Sequence, residues 1–287
     1  MTAFAHNTDG VGCLYLVATP IGNLEDITLR ALRVLKEADV IACEDTRQTQ
    51  KLLTRYGIRK SLVSYHEHNE MTRAPELVIE LEQGARVALV SDAGTPTISD
   101  PGNRLVTLCL RHHIPVVPIP GPSALVAALA ASGMPTEEFL FVGFLPSRSG
   151  ERRKALIELA TRPRTLVFYE APHRLEETLK DALSVLGPRP AVIAREVTKV
   201  HEEFLRGTLE ELLERVRRKA LRGEMTLLVG PGATQSPAAD ELPLAKRVEQ
   251  IMHEHKVDRK AALKQAARER GLPKREAYKQ LLLERSP

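Results

Sequence analysis

Short apolar runs alternate along the chain with longer stretches of helical period. The runs at 14–18, 40–43, 62–65, 87–91 and 116–119 are too uniformly apolar for strands with one wet face. After each of them, near 26–36, 46–55, 70–82, 101–111 and 123–131, apolar residues recur at three- and four-residue spacings. This alternation predicts a mostly parallel sheet covered on both faces by helices. Asp26, Thr46 and Ser123 suit helix caps, and Pro101 suits a first turn. A second α/β set follows Met134-Pro135, with strands predicted at 139–144, 165–169, 191–195, 203–206 and 226–229. Its helices fall near 150–160, 175–186 and 209–221, and the stretch 203–213 alternates only weakly. A segment rich in Gly, Pro, Ala and Ser, 230–240, reads as a linker. Three short helical patterns follow, at 244–254, 259–270 and 274–283, with Gly271-Leu272-Pro273 as a tight turn before the last. The expected organisation is a loose tail (1–12), an N-terminal α/β domain (13–120), a second α/β domain (121–232), a linker (233–242) and a basic, helix-turn-helix-like module (243–287).

Composition narrows the class. The 287 residues are 43% hydrophobic, enough for two cores, and no apolar run approaches the ~20 residues of a membrane span. The first twelve residues lack a signal-peptide pattern. Cys13, Cys43 and Cys109 are scattered, without C-x-x-C spacing, so neither a disulfide framework nor a zinc site is expected. Buried, inert thiols in a reducing cytoplasm are the reading they fit. From Glu241 onward twelve Lys and Arg face seven acids, while the rest of the chain is nearly neutral, so this module carries the net charge of +4. That asymmetry points to a polyanion partner for the tail, with a dimerising or stabilising helical tail as the alternative. Lys274, Arg275, Lys279 and Arg285 are its exposed candidates.

The candidate chemistry lies in three bends rich in proline and glycine. Ala18 to Asn23, Ser91 to Gly102 and Pro118 to Ala124 each follow a predicted strand and precede a helix. In an open α/β sheet a small ligand binds beyond the strand ends, where glycine admits close approach and proline fixes the turn. None of the three matches G-x-x-x-x-G-K-[ST] or G-x-G-x-x-G, which sets nucleoside triphosphates and dinucleotides aside as first choices.

Several of these segments together resemble the tetrapyrrole-methylase superfamily. The resemblance is carried by Leu14 to Thr28 with its Thr19-Pro20-Ile21-Gly22-Asn23 bend, Cys43-Glu44-Asp45-Thr46-Arg47, Ala93 to Gly102 and Pro120 to Ala124. Tyr169 to Arg174 and Ala194 to Lys199 extend it into the second domain, to about Gly230. The first bend departs from the G-x-G-P-G of porphyrin and corrin enzymes, which favours the branch that acts on ribosomal RNA. The resemblance implies two α/β domains with a ligand cleft between them and S-adenosylmethionine as donor. It also implies 2′-O-methylation of a cytidine in small-subunit ribosomal RNA, and a homodimer. No membrane, DNA or metal is expected. A tetrapyrrole C-methyltransferase, a non-catalytic RNA-binding assembly factor and a DNA regulator that senses a small molecule stay open as alternatives.

On this reading Pro20, Asp92, Gly94, Thr95, Ile98, Ser123 and Ala124 are the donor-site residues, with Tyr169 and Thr226 on the second domain's side. A ribose hydroxyl is weakly acidic, so a base near it should help. Glu44, Asp45 and Glu170 are the candidates, although Asp45 also suits a helix cap and Glu170 an ion pair with Arg174. Arg47, His66, Asn69, Arg148, Arg174 and Lys199 are placed to meet the RNA, and Glu196–Lys199 is equally suited to a structural ion pair. The basic segment Pro146 to Lys154 is expected to follow phosphates or to be a solvated helix start. His66-Glu67-His68 is weak grounds for a metal, because two histidines at i, i+2 do not make a ligand set.

Overall fold

The structure, a computed structural model, describes residues 12–160, 164–232, 244–255, 257–269 and 272–283. The expected tail up to residue 11, the linker 233–242, Gly271, Arg285 and the side chains of Lys274 and Arg275 lie outside the described residues. The chain divides into two compact units, 1–232 and 233–287.

The first sheet holds β1 (Cys13–Val17), β2 (Val40–Cys43), β3 (Ser61–Ser64), β4 (Arg86–Val90) and β5 (Val116–Ile119). All are parallel, in the order β3-β2-β4-β1-β5. Parallel strands need crossovers, and the helices supply them on both faces. On one face α1 (Leu29–Glu37) and α2 (Thr46–Arg55) bury Ala31, Leu35, Leu52 and Leu53. On the other, α3 (Glu70–Glu82) and α4 (Asn103–Arg111) bury Leu77, Leu81 and Leu105. The strand order puts β4, β1 and β5 side by side, so the three bends that follow them leave one edge of the sheet as neighbours.

Two expected helix starts move. Asp26 ends a short 3-10 turn, and Thr28 caps α1 by accepting from the Ala31 amide at 3.1 Å. Pro101 precedes α4, which opens at Asn103 because Gly102, at φ +134, cannot continue a helix backwards. Asp45, not Thr46, caps α2, accepting from the Arg47 amide at 2.8 Å.

The second sheet holds β6 (Phe139–Phe144), β7 (Thr165–Glu170), β8 (Pro190–Arg195), β9 (Glu203–Thr208) and β10 (Met225–Val229), in the order β6-β7-β10-β8-β9. Only β6 and β7 are parallel; the other pairs are antiparallel. The weakly alternating stretch forms β9 and the start of α8 (Leu209–Arg218), where Thr208 and Glu211 form a capping box. One face packs on α5 (Ala124–Ser132) through Ala128 and Leu129. The other packs on α6 (Ser149–Ala160), α7 (Leu175–Leu186) and α8 around Leu156, Phe168 and Leu179.

Within the expected phosphate-following segment, Arg152 is fully buried and corrects that reading for its own side chain. Its guanidinium meets Asp181 at 2.7 and 2.8 Å and donates to the Ser147 carbonyl at 2.9 Å, so it ties the start of α6 to α7. Arg148 stays exposed beside Glu151 at 3.6 Å.

In the second unit α9 (Leu244–His255), α10 (Arg259–Glu269) and α11 (Lys274–Leu283) enclose Leu244, Val248, Ile251, Ala266 and Ala277. Pro273 accepts from the Ala277 amide at 3.1 Å and so opens α11. Among the described residues no helix is long and apolar enough to cross a membrane.

Candidate active site

The three bends are fastened to one another. Thr19 and Gly94 exchange backbone hydrogen bonds of 2.8 and 2.9 Å, which bridges the first bend to the second. Gly94 sits at φ +86, a conformation that a side chain would strain. The Thr19 hydroxyl donates to the Ser91 carbonyl at 2.9 Å and the Ser91 hydroxyl to the Gly94 carbonyl at 3.1 Å. The Thr95 hydroxyl donates to the Pro122 carbonyl at 3.3 Å, joining the second bend to the third. Residues 72 and 27 positions apart in sequence are thus tied into one rim.

The second lobe closes over this rim. The Asn23 amide donates to the Thr198 hydroxyl at 3.2 Å. A Cβ on Gly22 would stand 2.3 Å from Cγ of Lys199, so only glycine permits this approach. Between the lobes lies a cavity of about 440 Å³, walled by Ile21, Ala93 and Ala124 on one side and Tyr169, Ala194 and Thr226 on the other. Phe141 and Phe144 hold the Tyr169 ring edge-on at 5.0 Å and tilted at 5.7 Å.

The loop that carries Ala93 into this cavity also lines a second, acid-rich pocket of about 480 Å³ with Thr97, Ser99 and Asp100. Glu44 and Arg104 are among its other walls. Burial, then the charges of Glu44 and Asp92, push the Asp100 carboxyl up to about 7. Burial, and to a lesser degree the charge of Asp100, raise the Tyr169 hydroxyl above its usual range. Glu44 is also raised, by burial and then by Asp92. Among the described residues five besides glycine have positive φ, and three of them, Thr97, Ser99 and Glu196, line these two cavities. Backbone held in such conformations clusters at functional sites.

Of the residues expected at the donor site, Ala124, Tyr169 and Thr226 line the cleft. Pro20 and Gly94 are buried in the bends, Thr95 makes the cross-link above, and Ser123 caps α5 by accepting from the Val126 amide at 3.4 Å. Asp92 accepts from the Asp45 amide at 3.0 Å, and Ile98 is 39% exposed on the rim.

The expected bases separate. Asp45 chelates the Arg47 guanidinium at 3.1 and 2.9 Å, and this contact holds it ionised, with its pKa down to about 2. So strongly acidic a carboxyl is a poor proton acceptor. The Glu170 carboxylate is buried against Arg174 at 2.7 Å and accepts from the Thr178 hydroxyl at 2.6 Å and the Ala171 amide at 2.8 Å. Arg174 also donates to the Leu145 carbonyl, so this pair braces the second lobe.

On the expected RNA side, Asn69 accepts from the His66 amide at 2.9 Å and donates to the Ser64 carbonyl at 3.1 Å, folding the loop after β3. Lys199 is shared by Glu196 at 2.9 Å and Glu224 at 3.2 Å. Among the described residues no three His, Cys, Asp or Glu side chains group as a metal would need. All three thiols are buried, and burial pushes Cys109 up to about 12.

Sequence reading missed Asp100, Ile21, Ala194 and Val197 as cavity residues, and weighed Glu196 only as an ion-pair partner of Lys199. Asp100 stands in Ser-Asp-Pro-Gly, a composition any turn would show, and its proximity to Glu44 arises only from strand order.

Two α/β lobes closing on fastened bends define a two-domain methylase: a family model described as tetrapyrrole (corrin/porphyrin) methylases matches residues 13–213. A relative from Halalkalibacterium halodurans named Ribosomal RNA small subunit methyltransferase I is 52% identical over 273 residues, covering 94% of each chain. A relative of the same name from Thermotoga maritima is 49% identical over 219 residues, which are 76% of this chain and 98% of the relative. Among solved structures, uroporphyrin-III C-methyl transferase from Thermus thermophilus complexed with S-adenyl homocysteine has a TM-score of 0.55 at 26% identity. That match covers 76% of this chain and 97% of the other. The chain belongs to the tetrapyrrole methylase family and, within it, to the group of ribosomal RNA small subunit methyltransferases I.

Proposed function

We propose that this protein transfers a methyl group from S-adenosylmethionine to the ribose 2′-hydroxyl of a cytidine in small-subunit ribosomal RNA, acting as a homodimer on the assembled subunit. The observation that carries the reading is one loop, 91–102, lining both the cleft between the lobes and the acid-rich pocket beside it. A donor and an acceptor held in the two would meet across that loop.

The cleft suits the donor. Its volume of about 440 Å³ is that of a small-ligand site. Ile21, Ala124, Phe144 and Met225 offer apolar wall for an adenosine, and the Thr226 hydroxyl and the backbone of the bends offer polar contacts. When bound, S-adenosylmethionine supplies an electrophilic methyl group whose carbon–sulfur bond breaks as the carbon–oxygen bond forms, leaving the electron pair on sulfur. The protein's part is alignment, and the cross-linked rim fixes the groups that align. Asp100 takes the hydroxyl proton, since a carboxyl with a pKa near 7 combines ionisation at neutral pH with basicity. Glu44, the foremost of the expected bases, shares its pocket and orients the same hydroxyl.

Glu44→Gln is expected to lower turnover while donor affinity stays within a few-fold; unchanged single-turnover methylation would remove Glu44 from the mechanism. Aromatic residues make up only 4% of the chain, so stacking platforms are few and phosphate and shape contacts must hold the substrate. This favours a folded particle over a free strand, and supplies the test of the whole reading. Tritiated donor is incubated with undermethylated small subunits, with naked ribosomal RNA and with a tetrapyrrole. Label in subunit RNA is expected, and label only in the tetrapyrrole, or in neither, contradicts it.

The basic module serves subunit binding. The Thermotoga relative, which bears the same name, is covered almost completely by 76% of this chain. Ending the chain before Asp240 is expected to spare donor binding and, because the module carries the net positive charge, to weaken subunit association, measured by calorimetry and by sedimentation.

A further inference from the structure

The outer face of α2 carries cations and no acids. From Thr46 to Lys60 the chain contains Arg47, Lys51, Arg55, Arg59 and Lys60 and not one Asp or Glu. Arg47, Lys51 and Arg55 recur at every fourth residue, so they stand on one stripe at intervals of about 6 Å along the axis. All three are exposed, while the opposite face buries Thr49, Leu52 and Leu53. The stripe borders an open groove of about 880 Å³, completed by Gln50, Thr54 and Leu62. Leu62 belongs to β3, the edge strand of the sheet.

Among the described residues nothing accounts for this stripe. Like charges at i, i+4 weaken a helix, and α2 carries two such pairs. Lys51 donates to the neutral Gln48 side chain at 3.2 Å. Among the described residues Lys51, Arg55 and Arg59 enter no ion pair, and Arg47 alone has a counter-ion, Asp45 at 2.9 Å. Asp39, which feels the charge of Lys60, is already held by Arg86 at 3.2 Å. The place where the stripe begins is equally informative. The Asp45 amide donates to Asp92 at 3.0 Å, so the head of α2 is fastened to the bend that carries Asp100. The stripe starts three residues beyond Glu44, a wall of the acid-rich pocket.

We infer that this groove is the track for the RNA backbone flanking the target nucleotide, with successive phosphates along Arg47, Lys51 and Arg55 and the strand continuing towards Arg59 and Lys60. The inference rests on the RNA-methyltransferase reading above. Guanidinium forks match phosphate oxygens, and the neutral Gln50 and Thr54 side chains add donors between them. Such contacts carry no sequence information. They fix register, here the position of one ribose against the pocket at the head of the helix.

The test uses the full-length protein, undermethylated small subunits and the triple variant Lys51→Glu/Arg55→Glu/Arg59→Glu, with Lys51→Gln/Arg55→Gln as a milder second variant. Subunit binding is measured across a salt series, alongside donor affinity and oligomeric state. For the triple variant, affinity about tenfold or more lower at 100 mM salt is expected, with a log–log salt slope shallower by about two. The double variant is expected to fall between it and the parent, with donor affinity and oligomeric state unchanged in both. If the parent methylates subunits and both variants bind them as the parent does, the track is wrong while the RNA reading stands. Binding lost only together with a changed oligomeric state also overturns it, because the groove is then a contact between copies of the chain. If the parent methylates no RNA, the underlying reading fails first.

Discussion

Asp100→Asn is expected to slow methyl transfer at pH 8 by about a hundred- to ten-thousand-fold, the range for a lost general base, with S-adenosylhomocysteine affinity within a few-fold of the parent. Asn keeps the size and hydrogen-bonding capacity of the side chain but cannot accept the ribose proton. The pH profile separates this role from a structural one. Burial and the neighbouring Glu44 and Asp92 charges put the Asp100 pKa at about 7, so the parent's single-turnover rate should rise as pH passes through about 7 and then level off. In the variant that limb should vanish. Stability provides an independent readout with the opposite sense. A carboxyl whose folded pKa lies above its unfolded value of about 4 binds its proton more tightly in the folded state. The stability it contributes is full below about 4 and is lost as pH rises through about 7. Asp100→Asn should flatten that dependence and leave the fold no less stable at pH 8. A variant that is both inactive and less stable at pH 8 would mark Asp100 as a structural residue.

The largest expected loss of stability follows Arg152→Leu. Arg152 is completely inaccessible, and it satisfies Asp181, itself 6% exposed, through contacts of 2.7 and 2.8 Å. Removing the guanidinium strands that carboxylate beside the Ser149 hydroxyl and frees the Ser147 carbonyl. Breaking such a buried pair from one side costs about 3–5 kcal/mol, read as a shift in the urea midpoint at constant m-value. The double variant Arg152→Leu/Asp181→Leu should recover much of it, since no uncompensated charge is then left behind. Equal destabilisation in the single and double variants would show that packing, not charge, dominates at this position.

Much of the first lobe was legible because its strands are uniformly apolar and separated by crossovers of helical period. The direction of the second-lobe strands was less so, since apolar runs look alike in parallel and antiparallel sheets. One signal was available: only seven residues, 196–202, separate β8 from β9, too few for a parallel crossover. The bends after β1, β4 and β5 stood out through proline and glycine at strand ends, and the structure brings them together because β4, β1 and β5 are neighbours. Glu44 lines the pocket as its place after β2 suggested, but which other acid joins it there was not legible. Asp45 is consumed by a cap and by Arg47, Glu170 by Arg174 and Thr178, and Asp100 gains its environment from Glu44 on a different crossover. Arg148 and Arg152 likewise read alike in sequence, and Asp181, on another helix, decides which of them is buried.

The central claim is that a donor held by the fastened bends delivers its methyl group to a ribose oxygen. It is tested most directly by digesting labelled subunit RNA to nucleosides and identifying the product by mass spectrometry. 2′-O-methylcytidine from the parent protein, greatly diminished with Asp100→Asn, is the result expected. A methyl group on the base, or the same yield of product from both proteins, would contradict the account.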